Sequence, residues 1–479
     1  MLTAAREGIA AWRRRPTVRR RLPLILLGVV VALSVGARVF HLDIPSESKP
    51  GQGLVFDEKY YVNAARVIGG VHMQPAETYA TASPPGTDPN GEHPQLGKVI
   101  VAASIRLLGD NPIGWRITAV IAGTAALLLL YWVVRLLGGS PWLALGTTAI
   151  AAADNLWLVS GRIAVLDIYC VPFMLAGFGF YLKRRPVVAG VLIGVGMCVK
   201  EFALYAVFAI VLLEAMRAAR WLLERRRHRY AEASPTAEHA EPPPQREPLR
   251  RRIPWRRLAQ PVAMAATTVV IFMSLLSVLD DAVTPYHDGH PVDANQSALC
   301  DHLLIWSASC NHLAFMNGYA AALRSPTGPQ GIASYPWQFW GNIEPIDYYT
   351  VRTTVTVNKV VTEVNTVVAY RGEIQPVILV TALLGIVAAL WQAVRRRDDM
   401  SFFVVAWIIA TWLPAELSSL LAQRTTYLYY MVVTMPALYL AAARLLGSRR
   451  VPKWLLGVWV GVLLAGFAIV YPFRTLTGT

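Results

Sequence analysis

The sequence predicts an all-α protein that crosses a membrane many times. Hydrophobic residues make up 55% of its 479 positions and charged residues only 16%, too few to cover the surface of a soluble protein of this size. Long apolar runs recur along the chain, and a run of about twenty such residues can cross a bilayer as a helix. The alternating ten-residue segments typical of a transmembrane β-barrel do not occur.

We predict eleven spans from the apolar runs, although the short run 187–199 leaves ten or twelve spans open. The spans are 22–41, 112–135, 141–159, 163–182, 187–199, 202–222, 259–279, 376–394, 402–421, 425–444 and 454–472.

Clusters of arginine and lysine border these runs and predict the orientation. They are Arg13–Arg15, Arg19–Arg21, Lys183–Arg185, Arg225–Arg229, Arg250–Arg257, Arg395–Arg397 and Arg449–Lys453. Cytoplasmic loops carry such an excess of basic residues. With the N-terminus inside, every cluster is cytoplasmic, whereas the C-terminus and the loops 42–111 and 280–375 lie outside. The net charge of +15 therefore reflects topology and does not indicate a nucleic-acid partner.

The chain divides into two predicted membrane modules. Residues 1–223 hold spans one to six and the outer loop 42–111, and residues 259–479 hold spans seven to eleven and the outer loop 280–375. Between them, 224–258 is rich in Pro, Glu and Arg and predicts a disordered cytoplasmic linker. This linker either contacts anionic lipid headgroups or is simply solvated.

The two outer loops have different local patterns. Loop 42–111 contains two amphipathic stretches, 58–69 and 96–108, that predict helices. Loop 280–375 ends in the β-like stretch "VRTTVTVNKVVTEVNTVVAY". It also contains Cys300 and Cys310, which can form a disulfide in an oxidising compartment or remain two free thiols.

Costly ionisable residues collect on the outer side of the predicted spans, and this is the main functional signal. They are Asp57, Glu58, His93, Lys98, Arg116, Arg162, Asp167, Lys200, Glu201, Glu416 and Arg424. Cations there can hold a lipid-linked phosphate and stabilise it as it leaves. A carboxylate can take the proton from an attacking hydroxyl. The pattern predicts transfer from a lipid-linked phosphate, for which the chain needs no nucleotide-binding motif.

The adjacent acids Asp57 and Glu58 also have a structural interpretation. Asp57 can cap a helix, with Glu58 in its positive first turn. One isolated acidic pair argues against a tightly bound divalent metal, although Glu201, Glu416 and Asp167 could converge on one.

The other candidates have structural alternatives as well. His93 precedes a proline and can be an ordinary turn residue. Arg162 and Asp167 can form a structural ion pair, and Lys200 and Arg424 can extend along apolar surface to the headgroups.

Seven motifs in order resemble the protein O-mannosyltransferases, a GT-C family that uses polyprenyl- or dolichyl-phosphate-mannose. They are "FDEKYYVNAARVI", "HPQLGKVIVAA", "GWRITAVIAG", "SGRIAVLDIY", "GVGMCVKEFALY", "SYPWQFW" and "QRTTYLYYMVVTMPAL". The resemblance covers spans one to six well and the later parts moderately. The outer loop is too short for the MIR domains of eukaryotic members, which indicates a bacterial type.

The resemblance implies a role for each matching residue. These roles are catalytic base for Asp57; acceptor binding for Glu58; donor phosphate binding for Arg116, Lys200 and Arg424; and site support for His93, Lys98, Arg162 and Asp167. The implied chemistry is inversion at the anomeric carbon, by direct displacement of the polyprenyl phosphate. It implies no tightly bound cofactor, a polyprenyl-phosphate-mannose donor, and a protein acceptor that the secretion translocon could deliver at the outer face of the cell membrane.

Departures from the family pattern leave the sugar and the acceptor open. Gln95 stands where proline is usual in the HPPLGK-like element, and Glu201 follows Lys200 where an aromatic residue is common. A GT-C transferase with a lipid or cell-envelope glycan acceptor is therefore an alternative. A transporter is a third, but the chain shows no inverted repeat and its polar residues lie at one face.

Overall fold

The computed structural model describes residues 16–46, 53–71, 83–232, 255–292, 300–357 and 360–471. Within these ranges the chain is mostly helical. The helices are α1 (Pro16–Val39), α2 (Glu58–Gly69), α3 (Leu96–Leu108), α4 (Pro112–Leu136), α5 (Pro141–Ala152), α6 (Asn155–Ser160), α7 (Leu166–Leu182), α8 (Pro186–Val199), α9 (Tyr205–Glu232), α10 (Trp255–Ala282), α11 (Ser307–Ala322), α12 (Pro376–Arg395), α13 (Asp399–Ala422), α14 (Met435–Leu446) and α15 (Lys453–Val470). Short 3₁₀ turns occupy Glu201–Leu204, Asp301–Trp306, Pro336–Gly341 and Leu428–Val433.

Each predicted span overlaps an apolar helix. In the part of the chain that the structure describes, seven helices are long and apolar enough to cross a membrane by length and composition: α1, α4, α9, α10, α12, α13 and α15. Four others are shorter, with 12 residues in α5 and α14, 14 in α8 and 17 in α7. Twelve helical residues extend only about 18 Å, less than a hydrocarbon core of about 30 Å. The count of eleven spans and the orientation of the two termini stay predictions.

Local sequence explains where the helices begin. Proline is the first residue of α4, α5, α8 and α12, a position where its missing N–H costs nothing. The predicted span 141–159 is broken between α5 and α6, because the Asp154 carboxylate caps α6 by accepting from Trp157 N at 3.1 Å. Its second oxygen accepts from Gln375 N at 3.0 Å, which fixes the start of α12 beside the break.

Helices α8 and α10 pack at close range across the predicted boundary between the two modules. A Cβ atom on Gly190 would lie 2.5 Å from the Met264 carbonyl oxygen, and one on Gly194 would lie 2.9 Å from that of Thr268. Only glycine permits this approach of the two backbones. Residues from both predicted modules share one hydrophobic core. The division into two modules therefore describes the order of the spans along the sequence and stays a prediction.

The predicted helices 58–69 and 96–108 are confirmed by α2 and α3. Two antiparallel hairpins lie in the predicted outer loop 280–375. The smaller one pairs β1 (Tyr286–His287) with β2 (His290–Pro291). The larger one pairs β3 (Ile346–Val357) with β4 (Val360–Gly372), which accounts for the β-like stretch.

The predicted linker 224–258 is partly wrong at both ends. Helix α9 continues to Glu232 and α10 begins at Trp255. Arginine, glutamate and alanine dominate residues 224–232, and all three favour continuation of a helix. The remaining part, 233–254, lies outside the described residues.

Candidate active site

Asp57 lies immediately before α2, at a sharp turn of the chain. The preceding residue, Phe56, has a φ of +54°, which is uncommon for a bulky side chain. Its ring packs edge-on against the rings of Tyr348 and Tyr429, with centroids 4.8 and 5.5 Å apart. Residues from two distant parts of the chain therefore hold the turn that presents Asp57.

The Asp57 carboxylate has no partner among the described residues. Asp57 occupies the N-cap position of α2, but its side chain makes no capping bond. No hydrogen bond or ion pair joins it to another described side chain or backbone group. The capping interpretation therefore accounts for the position of Asp57 and leaves its carboxylate unused.

Loss of hydration raises the pKa of Asp57 to about 6. The charges of Lys200 and His93 oppose this rise, and the charge of Asp167 adds to it. A carboxylate with such a pKa is ionised near neutral pH and is a stronger base than an ordinary aspartate. Lys200, Asp167 and His93 are thus the charged groups that act most on Asp57.

Lys200 and Asp167 form a buried ion pair beside Asp57. Lys200 Nζ lies 2.8 Å from Asp167 Oδ2, and both side chains are almost fully buried. The ammonium also lies over the rings of Phe202 and Tyr429, 4.7 and 5.6 Å from their centroids. Lys200 therefore points into the protein, and the alternative that it extends to the headgroups does not hold. The second oxygen of Asp167 is buried without a hydrogen-bond partner among the described residues.

His93 connects the first predicted outer loop to the end of α8. Its Nδ1 lies 3.3 Å from Glu201 Oε1. Lys98, five residues further along the chain, is fully buried and pairs with Asp88. Its ammonium also donates to the carbonyls of Asn90 and His93, at 2.5 and 2.9 Å. Lys98 thus shapes the loop that carries His93, which suits the supporting role that was implied.

Glu58 and Arg116 pair with each other inside the protein. Glu58 is fully buried, and its oxygens accept from Arg116 Nε and Nη2, both at 2.9 Å. They also accept from Val55 N at 2.8 Å and Ala164 N at 3.0 Å. The remaining donors of Arg116 bind backbone carbonyls, including those of Leu42 at 3.0 Å and Gly53 at 2.7 Å. The contacts of both side chains are thus made inside the protein, and acceptor binding by Glu58 and phosphate binding by Arg116 stay predictions.

Arg162 and Arg424 differ in how accessible their guanidinium groups are. Arg162 is buried and donates to the carbonyls of Ala37 at 3.3 Å and His41, so it fastens the end of α1. Arg424 is half-buried and donates to the Ala320 carbonyl at 3.2 Å. Burial works against its charge, but Tyr430 and Glu201 outweigh burial and raise the pKa of Arg424. Arg424 is thus a partly accessible cation that is influenced by the charge of Glu201, the carboxylate paired with His93.

Aromatic side chains enclose the site, and the sequence interpretation missed their role. Burial, with the charges of Asp57 and Asp167, raises the pKa of Tyr61 and of Tyr348 well above the ordinary value. Tyr348 is the third residue of β3 in the large hairpin, and the ring of Tyr429 stacks on that of Tyr427 with centroids 5.5 Å apart. The Tyr-rich motif before α14 was the available signal for Tyr429, and no comparable signal marked Tyr348.

The arrangement can support acid–base chemistry next to an anion. Three carboxylates, Asp57, Asp167 and Glu201, meet three groups that can carry positive charge, His93, Lys200 and Arg424. Among the described residues, no group of three His, Cys, Asp or Glu side chains could hold a metal ion. Cys300 and Cys310 are joined in a disulfide away from these groups, and Cys170 and Cys198 are buried and free.

Comparison with known proteins finds similarity to membrane glycosyltransferases. The family model "Dolichyl-phosphate-mannose-protein mannosyltransferase" matches residues 92–234. The polyprenol-phosphate-mannose–protein mannosyltransferase of Mycolicibacterium smegmatis is 23% identical over 94% of this chain and 89% of its own length. That of Corynebacterium glutamicum is 32% identical over 131 residues, which are 26% of this chain and 23% of the relative.

A solved structure supports the same fold. The Saccharomyces cerevisiae protein O-mannosyltransferase Pmt1–Pmt2 complex, bound to its sugar donor, matches with a TM-score of 0.62 at 12% identity, over 98% of this chain and 92% of the other. The predicted all-α, multi-pass membrane architecture with a GT-C fold is thus confirmed. The predicted resemblance to the protein O-mannosyltransferases, and with it the prediction of a glycosyltransferase, is confirmed as well.

Proposed function

We propose that this protein transfers mannose from polyprenyl-phosphate-mannose to Ser or Thr hydroxyls of proteins, with inversion, at the outer face of the cell membrane. The observation that carries the proposal is the Asp57 carboxylate, which has no partner among the described residues and a raised pKa. It lies on the side to which the charge pattern assigns the outer loops. The names of the mycobacterial and corynebacterial relatives support the donor and the protein acceptor.

Asp57 acts as the general base in this proposal. Its carboxylate takes the proton of the acceptor hydroxyl as the hydroxyl oxygen attacks the anomeric carbon of mannose. The bond from that carbon to the phosphate oxygen breaks on the opposite face, and its electron pair leaves with the polyprenyl phosphate. The products are an O-mannosylated protein with inverted configuration, polyprenyl phosphate and a protonated Asp57.

Lys200 and Arg424 stabilise the phosphate as its negative charge develops. Lys200 is the cation that acts most strongly on Asp57, which supports a place for the reacting centre between the two. Arg424 is half-buried and therefore accessible to a lipid-linked headgroup. Arg116 takes no part, since Glu58 and backbone carbonyls occupy its donors.

The acceptor lies against the aromatic enclosure of the site. Phe56, next to Asp57, packs against Tyr348 and Tyr429, and these rings exclude water from the base. This replaces Glu58 as the proposed acceptor contact. The secretion translocon is the proposed source of an unfolded acceptor, because an extended segment can reach an enclosed site that a folded protein cannot.

The test uses purified protein in lipid nanodiscs with polyprenyl-phosphate-mannose and peptides that contain Ser and Thr. We expect mannose on the peptide for wild type and for Asp288→Asn, a strongly exposed control, and almost none for Asp57→Asn. Mannose found only on lipid or glycan acceptors would overturn the protein acceptor and favour the alternative transferase. Equal transfer by wild type and Asp57→Asn would remove Asp57 as the base.

A further inference from the structure

The segment from Cys300 to Ala322 returns to α10 after the chain has left it. Three side-chain contacts join the two elements at a constant offset of 32 residues. Trp306 Nε1 donates to Ser274 Oγ at 3.2 Å, and the Ser277 and Ser309 hydroxyls lie 2.9 Å apart. The third joins His312 Nδ1 and Asp280 Oδ1 at 2.7 Å. Because both partners advance together, α11 runs beside α10 in the same direction.

Parallel helices in this order require the chain to go out and come back. After Ala282, the backbone first meets the other outer loop: Tyr286 N donates to the Asp88 carbonyl at 2.7 Å. It then returns until Trp306 is level with Ser274. Ser274 lies six residues before Asp280, the first acidic residue at the outer end of α10, which corresponds to about 9 Å along the helix axis. The turn through Trp306 therefore lies at a depth where α10 is still apolar.

The face of α10 that meets this turn is otherwise open. Val270 and Val278 lie one turn on either side of Ser274, and they are 47% and 61% exposed. In a membrane-spanning helix such valines contact lipid. The turn continues that apolar surface, because Leu303 is 42% and Ile305 81% exposed.

Polar residues at the start of the turn limit how deep it can lie. Asp301 and His302 are exposed, and both need water or headgroups. Interfacial segments bury their apolar side about 5 to 10 Å into the boundary between headgroups and acyl chains, which agrees with the depth of Ser274. A tryptophan such as Trp306 is typical of this boundary.

We propose that the disulfide-closed turn from Cys300 to Cys310 dips into the leaflet on the active-site side, with Leu303 and Ile305 in contact with acyl chains. The partner of this surface is the lipid itself. The turn sets the height of α11, and His312 Nε2 lies 2.8 Å from the Gly91 carbonyl oxygen, in the loop that carries His93. The turn from Cys300 to Cys310 therefore fixes the loop that carries His93 relative to the membrane surface.

The experiment measures the depth of single labels in the full-length protein. Ile305→Cys and, separately, Leu303→Cys are labelled with a small environment-sensitive fluorophore and reconstituted in phosphatidylcholine vesicles. Wild type reports background labelling, which is expected to be low because Cys170 and Cys198 are buried. Quenching by spin-labelled lipids is compared with quenching by aqueous iodide.

Two positions on described elements provide matched controls. Val270→Cys, on the exposed face of α10, reports lipid contact, and His290→Cys, on the small hairpin, reports water. We expect positions 303 and 305 to follow the Val270 control, with several-fold stronger quenching by lipid than at position 290. Quenching by iodide as strong as at position 290 would overturn the proposal. Protection from both quenchers would overturn it too, since a protein surface and not lipid would then cover the turn.

Discussion

Asp57 and Glu58 are neighbours in the chain and opposites in the structure. Glu58 is fully buried, and its carboxylate accepts hydrogen bonds from four groups: two guanidinium nitrogens and two backbone N–H groups. Asp57 is half-buried and has no partner among the described residues. One acid thus holds the start of α2 to α4, and the carboxylate of the other has no partner among the described residues. Identical charge at adjacent positions therefore says little about role until the partners are known.

The contrast predicts opposite results from two conservative substitutions. Asp57→Asn should lower mannose transfer by about 10² to 10⁴, the typical contribution of a general base. Because the carboxylate makes no contact with described residues, the unfolding temperature should change little. Transfer within tenfold of wild type, with normal folding, would contradict the assignment.

Glu58→Gln should act on stability. Removal of one partner from a buried ion pair leaves an uncompensated charge on Arg116, which typically costs about 3 to 5 kcal/mol. The free energy of unfolding in detergent measures this loss. The double variant Glu58→Gln/Arg116→Met should recover part of it, because it removes the unpaired charge. A single variant as stable as wild type would show that the pair does not hold the loop.

Lys200→Gln should change both the pH dependence and the rate of mannose transfer. Its ammonium is the main charge that lowers the pKa of Asp57, so its loss should move the acidic limb of the pH–activity profile above pH 6. Transfer should also fall, since one proposed phosphate contact is lost. Lys200→Arg keeps the charge and should leave the limb in place. If the acidic limb of Lys200→Gln stayed in place, the charge of Lys200 would not control the pKa of Asp57.

The smallest effect is expected for an exposed ion pair in the large hairpin. Arg371 Nε lies 2.6 Å from Asp347 Oδ1, and the two side chains are 41% and 36% exposed. Water screens such a pair, so Arg371→Gln should cost about 0 to 1 kcal/mol of unfolding free energy. A cost as large as that of Glu58→Gln would contradict the expectation that a buried ion pair contributes more to stability than an exposed one.

The sequence predicted the helices well because apolar runs, prolines and glycines act locally. Helices α2 and α3 have the expected bounds. Lys200, Asp167 and His93, which the sequence predicts on the same membrane face as Asp57, are the charged groups that act most on its carboxylate. The pairing of Glu58 with Arg116 could not be predicted, since it joins positions 58 residues apart and depends on burial.

Other features were also beyond sequence reasoning. The break at Asp154 depends on Gln375, 221 residues away, and the positive φ of Phe56 has no sequence signal. Gln95, which stood out as a departure from the family motif, is buried and donates to Asp280 Oδ1 at 2.6 Å. Its partner comes from the end of α10, so only the structure explains it.

The pH dependence of transfer tests the central claim most directly. The profile of kcat/KM reports the ionisation of the free enzyme, and a base must be deprotonated to act. Wild type should therefore lose activity as the pH falls below about 6, the pKa to which burial raises Asp57. Conservative replacement of Glu58, measured where the protein is folded, should keep this limb, and Asp57→Asn should lose it. A limb that persists unchanged in Asp57→Asn would contradict Asp57 as the base.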